Sequence, residues 1–149
     1  MKHLTNGTEL HIKRVQEILT DIEKDLYLRG LLHDLSKLES PEKEMFDKYS
    51  ANLRTSTYGS PEYKKALVEL GPALQHHYEN NRHHPEHFEN GIDDMNMIDL
   101  MELFADWKAS SERHDNGDIY KSIDINKERF KMSDQLERIF INTAKFLGY

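Results

Sequence analysis

Cysteine is absent from this chain of 149 residues, which excludes disulfide bonds and thiolate metal sites. Any metal must therefore be held by histidine and carboxylate side chains, and the missing cysteine is typical of a reducing cytoplasm. Long apolar runs are also missing, since no stretch approaches the roughly 20 apolar residues that span a bilayer. The amino terminus lacks the apolar core of a secretory signal. We therefore predict a cytoplasmic protein that makes no membrane contact.

Basic residues are scarce, with 20 lysines and arginines against 27 aspartates and glutamates. The net charge of −7 argues against binding of extended nucleic acid, because neutralising many phosphates needs clustered basic side chains. A small local phosphate site is compatible with this charge. The length predicts a single domain over residues 1–149, large enough to bury its own core.

Apolar residues recur at intervals of three and four, and no stretch alternates convincingly, so the pattern predicts an all-α fold. Thr8 is the predicted cap of the first helix and Ser133 that of the last. A second helix is expected over residues 25–37, and Ser60-Pro61 is typical of a further helix start. The polar stretch 52–59 is predicted to be a surface loop and a candidate lid.

One histidine–aspartate pair lies at the end of an apolar helical run, in the segment His33-Asp34-Leu35-Ser36-Lys37. The same dipeptide recurs at residues 114–115, where Asn116-Gly117 follows and predicts a turn instead. A buried Asp34 needs a cationic partner, which either a metal or Lys37 can provide. The first pair is therefore a candidate metal-binding motif.

An isolated upstream His11 and a later Asp106 complete a possible ligand set with this pair. His11, His33, Asp34 and Asp106 would form a mixed nitrogen and oxygen set, which suits manganese, iron, zinc, cobalt or magnesium. A bound cation lowers the pKa of water, and the resulting hydroxide can attack phosphorus while the cation neutralises phosphoryl charge. Lys37, one turn beyond Asp34, could reach a phosphate oxygen. Asp34 and Lys37 are the predicted catalytic residues.

Further histidines follow a predicted helical face whose spacing points His77 inward more than His76. With His83 or His84 from the next loop, His77 could form a second metal position in which Asp34 bridges two ions. The spacing permits this arrangement. It does not decide between one ion and two, or between the two loop histidines.

Ordinary structural roles compete with these assignments. His11 on an apolar face can be a hydrogen-bonded core histidine, and Asp106 can pair with a lysine or face solvent. Arg82, Arg113 and His114 could touch a substrate phosphate, although Arg113 and His114 near a helix end can equally complement the helix dipole. The charged run 42–44 is interpreted as a solvated helix face.

The order of these residues in an all-helical chain resembles the HD-domain superfamily of metal-dependent phosphohydrolases. The segment 33–37 is similar to the superfamily's central motif with its frequent trailing lysine, and the resemblance spans roughly residues 11–106. The segment 80–87, together with Asp106-Trp107-Lys108, is similar to a small, functionally uncharacterised branch found in bacteria and their phages. The resemblance implies an HD-domain-like helical bundle with a central metal site. Its implied ligands are His11, His33, Asp34 and Asp106 for a first ion, and His77 and His84 for a second.

These features predict a metal-dependent phosphohydrolase that cleaves phosphomonoesters or phosphodiesters in a small phosphorylated molecule, with a nucleotide as the favoured substrate. The superfamily's cyclic dinucleotide hydrolysis is not favoured, because no glycine-tyrosine-proline element follows the paired histidines. The alternative function is that of a catalytically silent HD-fold module that binds metal, a nucleotide or a partner protein. A ferritin-like di-iron protein is not favoured, because no Glu-x-x-His pair occurs in the chain.

Overall fold

The computed structural model of the chain describes residues 6–55, 61–113 and 117–149, apart from the side chains of residues 6, 50–55, 62–64, 66 and 67. Every regular element in these ranges is helical, which confirms the predicted all-α class. The α-helices are α1 (Asn6–Leu32), α2 (Glu42–Thr55), α3 (Pro61–Asn80), α4 (Met97–Ser111), α5 (Ile119–Phe130) and α6 (Asp134–Leu147). None of the described helices has both the length and the apolar character needed to cross a membrane.

The chain divides into two compact units, Met1–Leu32 and His33–Tyr149. In the described residues the first unit is α1, and the second contains α2 to α6 with three short 3-10 helices. The single domain expected over residues 1–149 stays a prediction.

Helix α1 is one continuous helix of 27 residues, where the sequence predicted two. It begins at Asn6, so Thr8 lies inside its first turn and the predicted cap is wrong. Ion pairs one turn apart support it locally, such as Arg14 with Glu17 at 3.0 Å. The helix ends at Leu32, and residues 35–38 form a 3-10 helix, so the helix expected over residues 25–37 is wrong in its last turn.

Helices α2 and α3 pack on each other around a small apolar cluster formed by Tyr49, Leu70 and Ala73. Helix α2 runs to Thr55, so the first half of the predicted loop 52–59 is helical, and the rest lies outside the described residues. Helix α3 begins at Pro61, as the Ser60-Pro61 signal predicted, and continues through Pro72. This continuous helix carries its buried face as far as His77.

Helices α4, α5 and α6 enclose the larger core of the second unit. Its buried side chains include Leu103, Ile123, Phe140 and Ala144. Fully burying a side chain of the size of leucine or isoleucine contributes roughly 1.5–3 kcal/mol. Ser133 caps α6, as predicted, by accepting a hydrogen bond from the Leu136 amide. This packing fixes the orientation of α4, the helix that carries Asp106.

An ion pair between the exposed Arg82 and the buried Asp99 fixes the start of α4. Asn96 accepts a hydrogen bond from the Asp99 amide at 3.0 Å, and the Asp99 carboxylate accepts one from the Asn96 amide at 3.2 Å. Arg82 donates to both carboxylate oxygens of Asp99, at 3.2 and 3.0 Å. Bidentate pairs of this kind are strong and directional. The contacts of Arg82 with Asp99 therefore give it a structural role, tying its loop to the N-terminus of α4.

Candidate metal centre

The second unit brings four stretches of chain together around the side chain of Asp34. They are the turn at residues 33–34, the 3-10 helix that follows it, the end of α3 with its loop, and α4. Asp34 has a left-handed backbone, with φ 58° and ψ 15°, which aspartate and asparagine tolerate better than most side chains. The histidine–aspartate motif therefore lies on a turn, not within the helix that its apolar run predicted.

Three histidines gather at one side of the Asp34 carboxylate. Asp34 Oδ1 lies 3.3 Å from His77 Nε2 and 3.4 Å from His83 Nε2. His84 joins them with its Nε2 atom 2.8 Å from that of His77. Together the four side chains offer ligand atoms that all lie within 4.8 Å of one another. We call this set, Asp34 with His77, His83 and His84, the histidine-rich group.

A second set of ligand atoms shares the same aspartate. His33 Nε2 lies 3.5 Å from Asp34 Oδ2 and 3.6 Å from Asp106 Oδ1. These three residues also satisfy the distance limit for one ion, and we call them the carboxylate group. Asp34 therefore joins the two groups, with Oδ1 facing one and Oδ2 facing the other.

Two buried atoms at this junction, Asp34 Oδ1 and His83 Nε2, have no hydrogen-bond partner among the described residues. Leaving a buried polar group unsatisfied costs about 1–3 kcal/mol, so the arrangement needs a further partner. A cation fits, because both atoms can donate a lone pair and because atoms bound to one ion at about 2.0–2.2 Å lie roughly 3 Å apart. The residues at this junction therefore suit a divalent metal.

Carboxylates behind the histidine rings set the orientation of the rings. His77 Nδ1 lies 2.9 Å from Glu42 Oε2, and His33 Nδ1 lies 3.0 Å from Glu102 Oε1. Since an ionised carboxylate can only accept, each Nδ1 carries the hydrogen and each Nε2 is directed at the Asp34 side. His83 has the same arrangement, with its Nδ1 atom 3.1 Å from Glu102 Oε1.

Neither glutamate was predicted from the sequence to belong to the centre. Glu102 precedes Asp106 by one helical turn, so the spacing could have placed the two carboxylates on one face of α4. The interpretation of residues 42–44 as a solvated face is wrong for Glu42, whose exposed fraction is 0%. No local pattern separates it from Glu44, which is exposed. The structure places both His83 and His84 in the histidine-rich group, whereas His84 was the favoured of the two in the prediction.

The charges of the centre are strongly coupled. Contacts with the carboxylates of Asp106 and Glu102 raise the pKa of His33 to about 10. Burial alone would raise the pKa of Asp34, but contacts with His77 and Lys37 outweigh it and hold that pKa well below its usual value. Burial, reinforced by the neighbouring histidines, lowers the pKa of His84 to about 3. His84 is therefore uncharged at neutral pH, which is the form of an imidazole that can bind a metal.

The raised pKa of His33 makes the stability of the metal-free protein depend on pH. The folded state keeps this proton up to about pH 10, whereas an unfolded histidine loses it near 6.5. The stabilising contribution is therefore complete below pH 6.5 and is lost as the pH rises towards 10. We expect urea denaturation of metal-free protein to show this decline, and His33→Gln to reduce it. A decline of equal size in His33→Gln would contradict the assignment.

Lys37 lies at the edge of the carboxylate group. Its Nζ atom donates a hydrogen bond to Asp34 Oδ2 at 2.6 Å, and 35% of its side chain is exposed. The ammonium also lies 5.5 Å from the centre of the Phe46 ring. Lys37 therefore places a positive charge where both the partly buried Asp34 carboxylate and solvent can reach it.

The other predicted residues have different outcomes. His77 is the inward histidine of its pair, with 2% of its side chain exposed, whereas His76 is 39% exposed and contacts Glu42. His11 lies on α1 in the first compact unit, and its role as a metal ligand stays a prediction. The second histidine–aspartate pair, at residues 114–115, lies outside the described residues.

Comparison with known proteins gives a family but no activity. Searches of curated proteins and of solved structures found no match to the chain. One family model, described as a family of unknown function (DUF5662), matches residues 2–146. Since this match covers nearly the whole sequence, the chain belongs to the DUF5662 family.

Proposed function

We propose that this protein is a metal-dependent phosphohydrolase with an HD-domain-like centre. Its substrate would be a small phosphorylated molecule, with a nucleotide as the favoured class. One observation carries the proposal: of three groups of side-chain atoms that could hold a metal ion, two share Asp34, beside a partly exposed lysine. The order of these residues along the chain, which resembles the HD-domain superfamily, supports the same function.

A bound divalent cation would supply a hydroxide nucleophile at neutral pH and would neutralise charge on the phosphoryl group. The chain's own contribution is to hold the cation and to orient the substrate. Asp34 offers one oxygen to each group, so it can serve one ion or lie between two. The nitrogen-rich ligands of the histidine-rich group suit iron, zinc or cobalt, and the oxygen-rich carboxylate group suits manganese or magnesium.

Lys37 is the proposed substrate-binding residue. Its ammonium group pairs with Asp34 and is partly exposed, so it can also contact a phosphoryl oxygen of a bound substrate. A positive charge there stabilises the negative charge that develops during hydrolysis. No broad basic surface is needed for such a substrate, in keeping with the acidic composition. His11 is retained as a further proposed ligand on the sequence resemblance alone.

We expect metal-free protein to be inactive towards phosphomonoesters and phosphodiesters, and Mn²⁺, Fe²⁺, Co²⁺ or Mg²⁺ to restore hydrolysis. Lys37→Met should keep its metal but lose about 10²-fold in kcat/KM, because the phosphoryl oxygens lose a charged partner. Elemental analysis and a screen of nucleotides and simple phosphate esters would measure both effects. Lys43→Met is a matched control, since Lys43 Nζ also lies 2.6 Å from an aspartate, the exposed Asp47.

Hydrolysis that persists in fully metal-free protein would contradict the proposal. So would equal losses of activity in Lys37→Met and Lys43→Met, because Lys43 lies on an exposed helix surface. Tight nucleotide binding with no product under any of the four metals would favour the alternative, a catalytically silent binding module.

A further inference from the structure

We propose that Glu42 is a positioning residue for the metal centre: it holds the ring of His77 so that Nε2 faces Asp34. The inference rests on the metal site of the proposed function, but it does not depend on whether the bound metal hydrolyses a phosphate ester. Glu42 lies on neither the motif that includes Asp34 nor the histidine loop, and it begins α2.

The contacts of Glu42 connect it to the centre through His77. Its carboxylate is fully buried, and Oε2 accepts hydrogen bonds from His77 Nδ1 at 2.9 Å and from Ser36 Oγ at 3.0 Å. Oε1 accepts from His76 Nδ1 at 2.7 Å. Behind Ser36, the Asn81 amide donates to Ser36 Oγ at 2.8 Å. The carboxylate is thus held from both oxygens and has little freedom to turn.

A fully buried carboxylate is costly unless hydrogen bonds compensate its lost hydration, so its partners indicate its use. Ser36 and His76 satisfy the carboxylate, but neither offers a ligand atom to the two metal-ligating groups. His77 contacts the Glu42 carboxylate through Nδ1 and also offers a ligand atom, because its Nε2 atom lies 3.3 Å from Asp34 Oδ1. The contacts that run from Glu42 through the ring of His77 to Asp34 therefore connect Glu42 to the proposed metal site.

This contact selects one form of the imidazole ring. Because Glu42 accepts the hydrogen of Nδ1, neutral His77 keeps a lone pair on Nε2, the nitrogen that faces the other ligands. A carboxylate behind a metal-binding histidine also raises the basicity of the ring. Without Glu42, the ring can carry its hydrogen on Nε2 instead, and a cation must then displace that hydrogen before it binds.

The test compares Glu42→Gln with the wild-type protein in Co²⁺ binding. Glutamine keeps the volume of the side chain and removes its charge, and we expect affinity measured by calorimetry to fall by about 10- to 100-fold. Nitrogen NMR of metal-free protein should show His77 protonated at Nδ1 in the wild type and redistributed in Glu42→Gln. Glu44→Gln is the matched control, because it removes the same charge from an exposed position of the same helix.

The outcomes separate this proposal from the hydrolase. Equal Co²⁺ affinity in wild type, Glu42→Gln and Glu44→Gln overturns the positioning role, whatever the hydrolase assays show. Wild-type protein that binds Co²⁺ without hydrolysing any ester refutes the hydrolase alone, and a wild type that binds no Co²⁺ refutes both. If Glu42→Gln does not fold, Glu42→Asp is the second variant. Aspartate keeps the negative charge, but its shorter side chain moves the carboxylate away from His77, so Co²⁺ binding should also weaken. Failure of both variants to fold would make Glu42 a purely structural group and overturn the proposal.

Discussion

Replacing Asp34 with asparagine is expected to abolish metal binding at the shared position and to lower any phosphohydrolase activity by about 10³-fold or more. The reason is geometric, since Asp34 supplies Oδ1 to the histidine-rich group and Oδ2 to the carboxylate group. Asparagine keeps the shape of the side chain, but it removes the negative charge that both oxygens share and replaces one oxygen with an amide nitrogen that cannot bind a cation. One substitution should thus disable both groups.

Asparagine is a better choice than alanine for this experiment, because it tolerates the left-handed backbone of residue 34 as aspartate does. Loss of function in a folded Asp34→Asn protein therefore reports on the carboxylate itself. Asp47→Asn removes an equal charge from an exposed aspartate that is also paired with a lysine. Elemental analysis, thermal unfolding and the ester screen would be run on all three proteins. Full metal content and full activity in Asp34→Asn would end the proposal of a metal-dependent enzyme.

Replacing Trp107 with alanine is expected to have the largest effect on stability, lowering the free energy of unfolding by about 3–5 kcal/mol. Its ring is 8% exposed, is stacked on Phe130 with centroids 6.3 Å apart, and meets Phe140 edge-on at 5.5 Å. Alanine leaves a cavity where α4, α5 and α6 meet. Because small domains are stable by only about 5–15 kcal/mol, much of the margin would be lost.

Urea denaturation followed by circular dichroism is the measurement for this prediction, since Trp107 is the only tryptophan and its fluorescence disappears with it. Trp107→Phe should destabilise less, because a smaller aromatic ring still fills part of the space. Glu128→Ala on the exposed face of α5 should change stability by no more than about 0.5 kcal/mol. A loss below about 1 kcal/mol for Trp107→Ala would show that the packing around this ring is not essential.

The sequence predicted the parts of the centre that leave a local pattern. Helical spacing pointed His77 inward, and the structure places it against Asp34 at 3.3 Å. The pairing of His33 with Asp106 followed from the order of the residues and their resemblance to a known superfamily. The inward direction of His77 is confirmed, because a buried polar residue on an apolar helical face must find a partner inside the protein. The roles of these residues as metal ligands stay predictions.

The supporting carboxylates could not be predicted in the same way. Glu42 lies at the first position of a helix, where acidic residues are common for dipole reasons alone. Its burial depends on how α2 and α3 pack on each other, which single-sequence periodicity does not encode. The left-handed turn at Asp34 was missed for a similar reason, since the apolar run before it favours a continuing helix.

The bidentate contact between Arg82 and Asp99 has a consequence for the metal affinity of the proposed centre. It attaches the segment just before His83 to the start of α4, so the imidazole rings of the loop would already be in position when a cation binds. Preorganisation of this kind lowers the entropic penalty of association. Removing this ion pair would weaken metal binding at the proposed centre, although the proposed ligand side chains themselves would be unchanged.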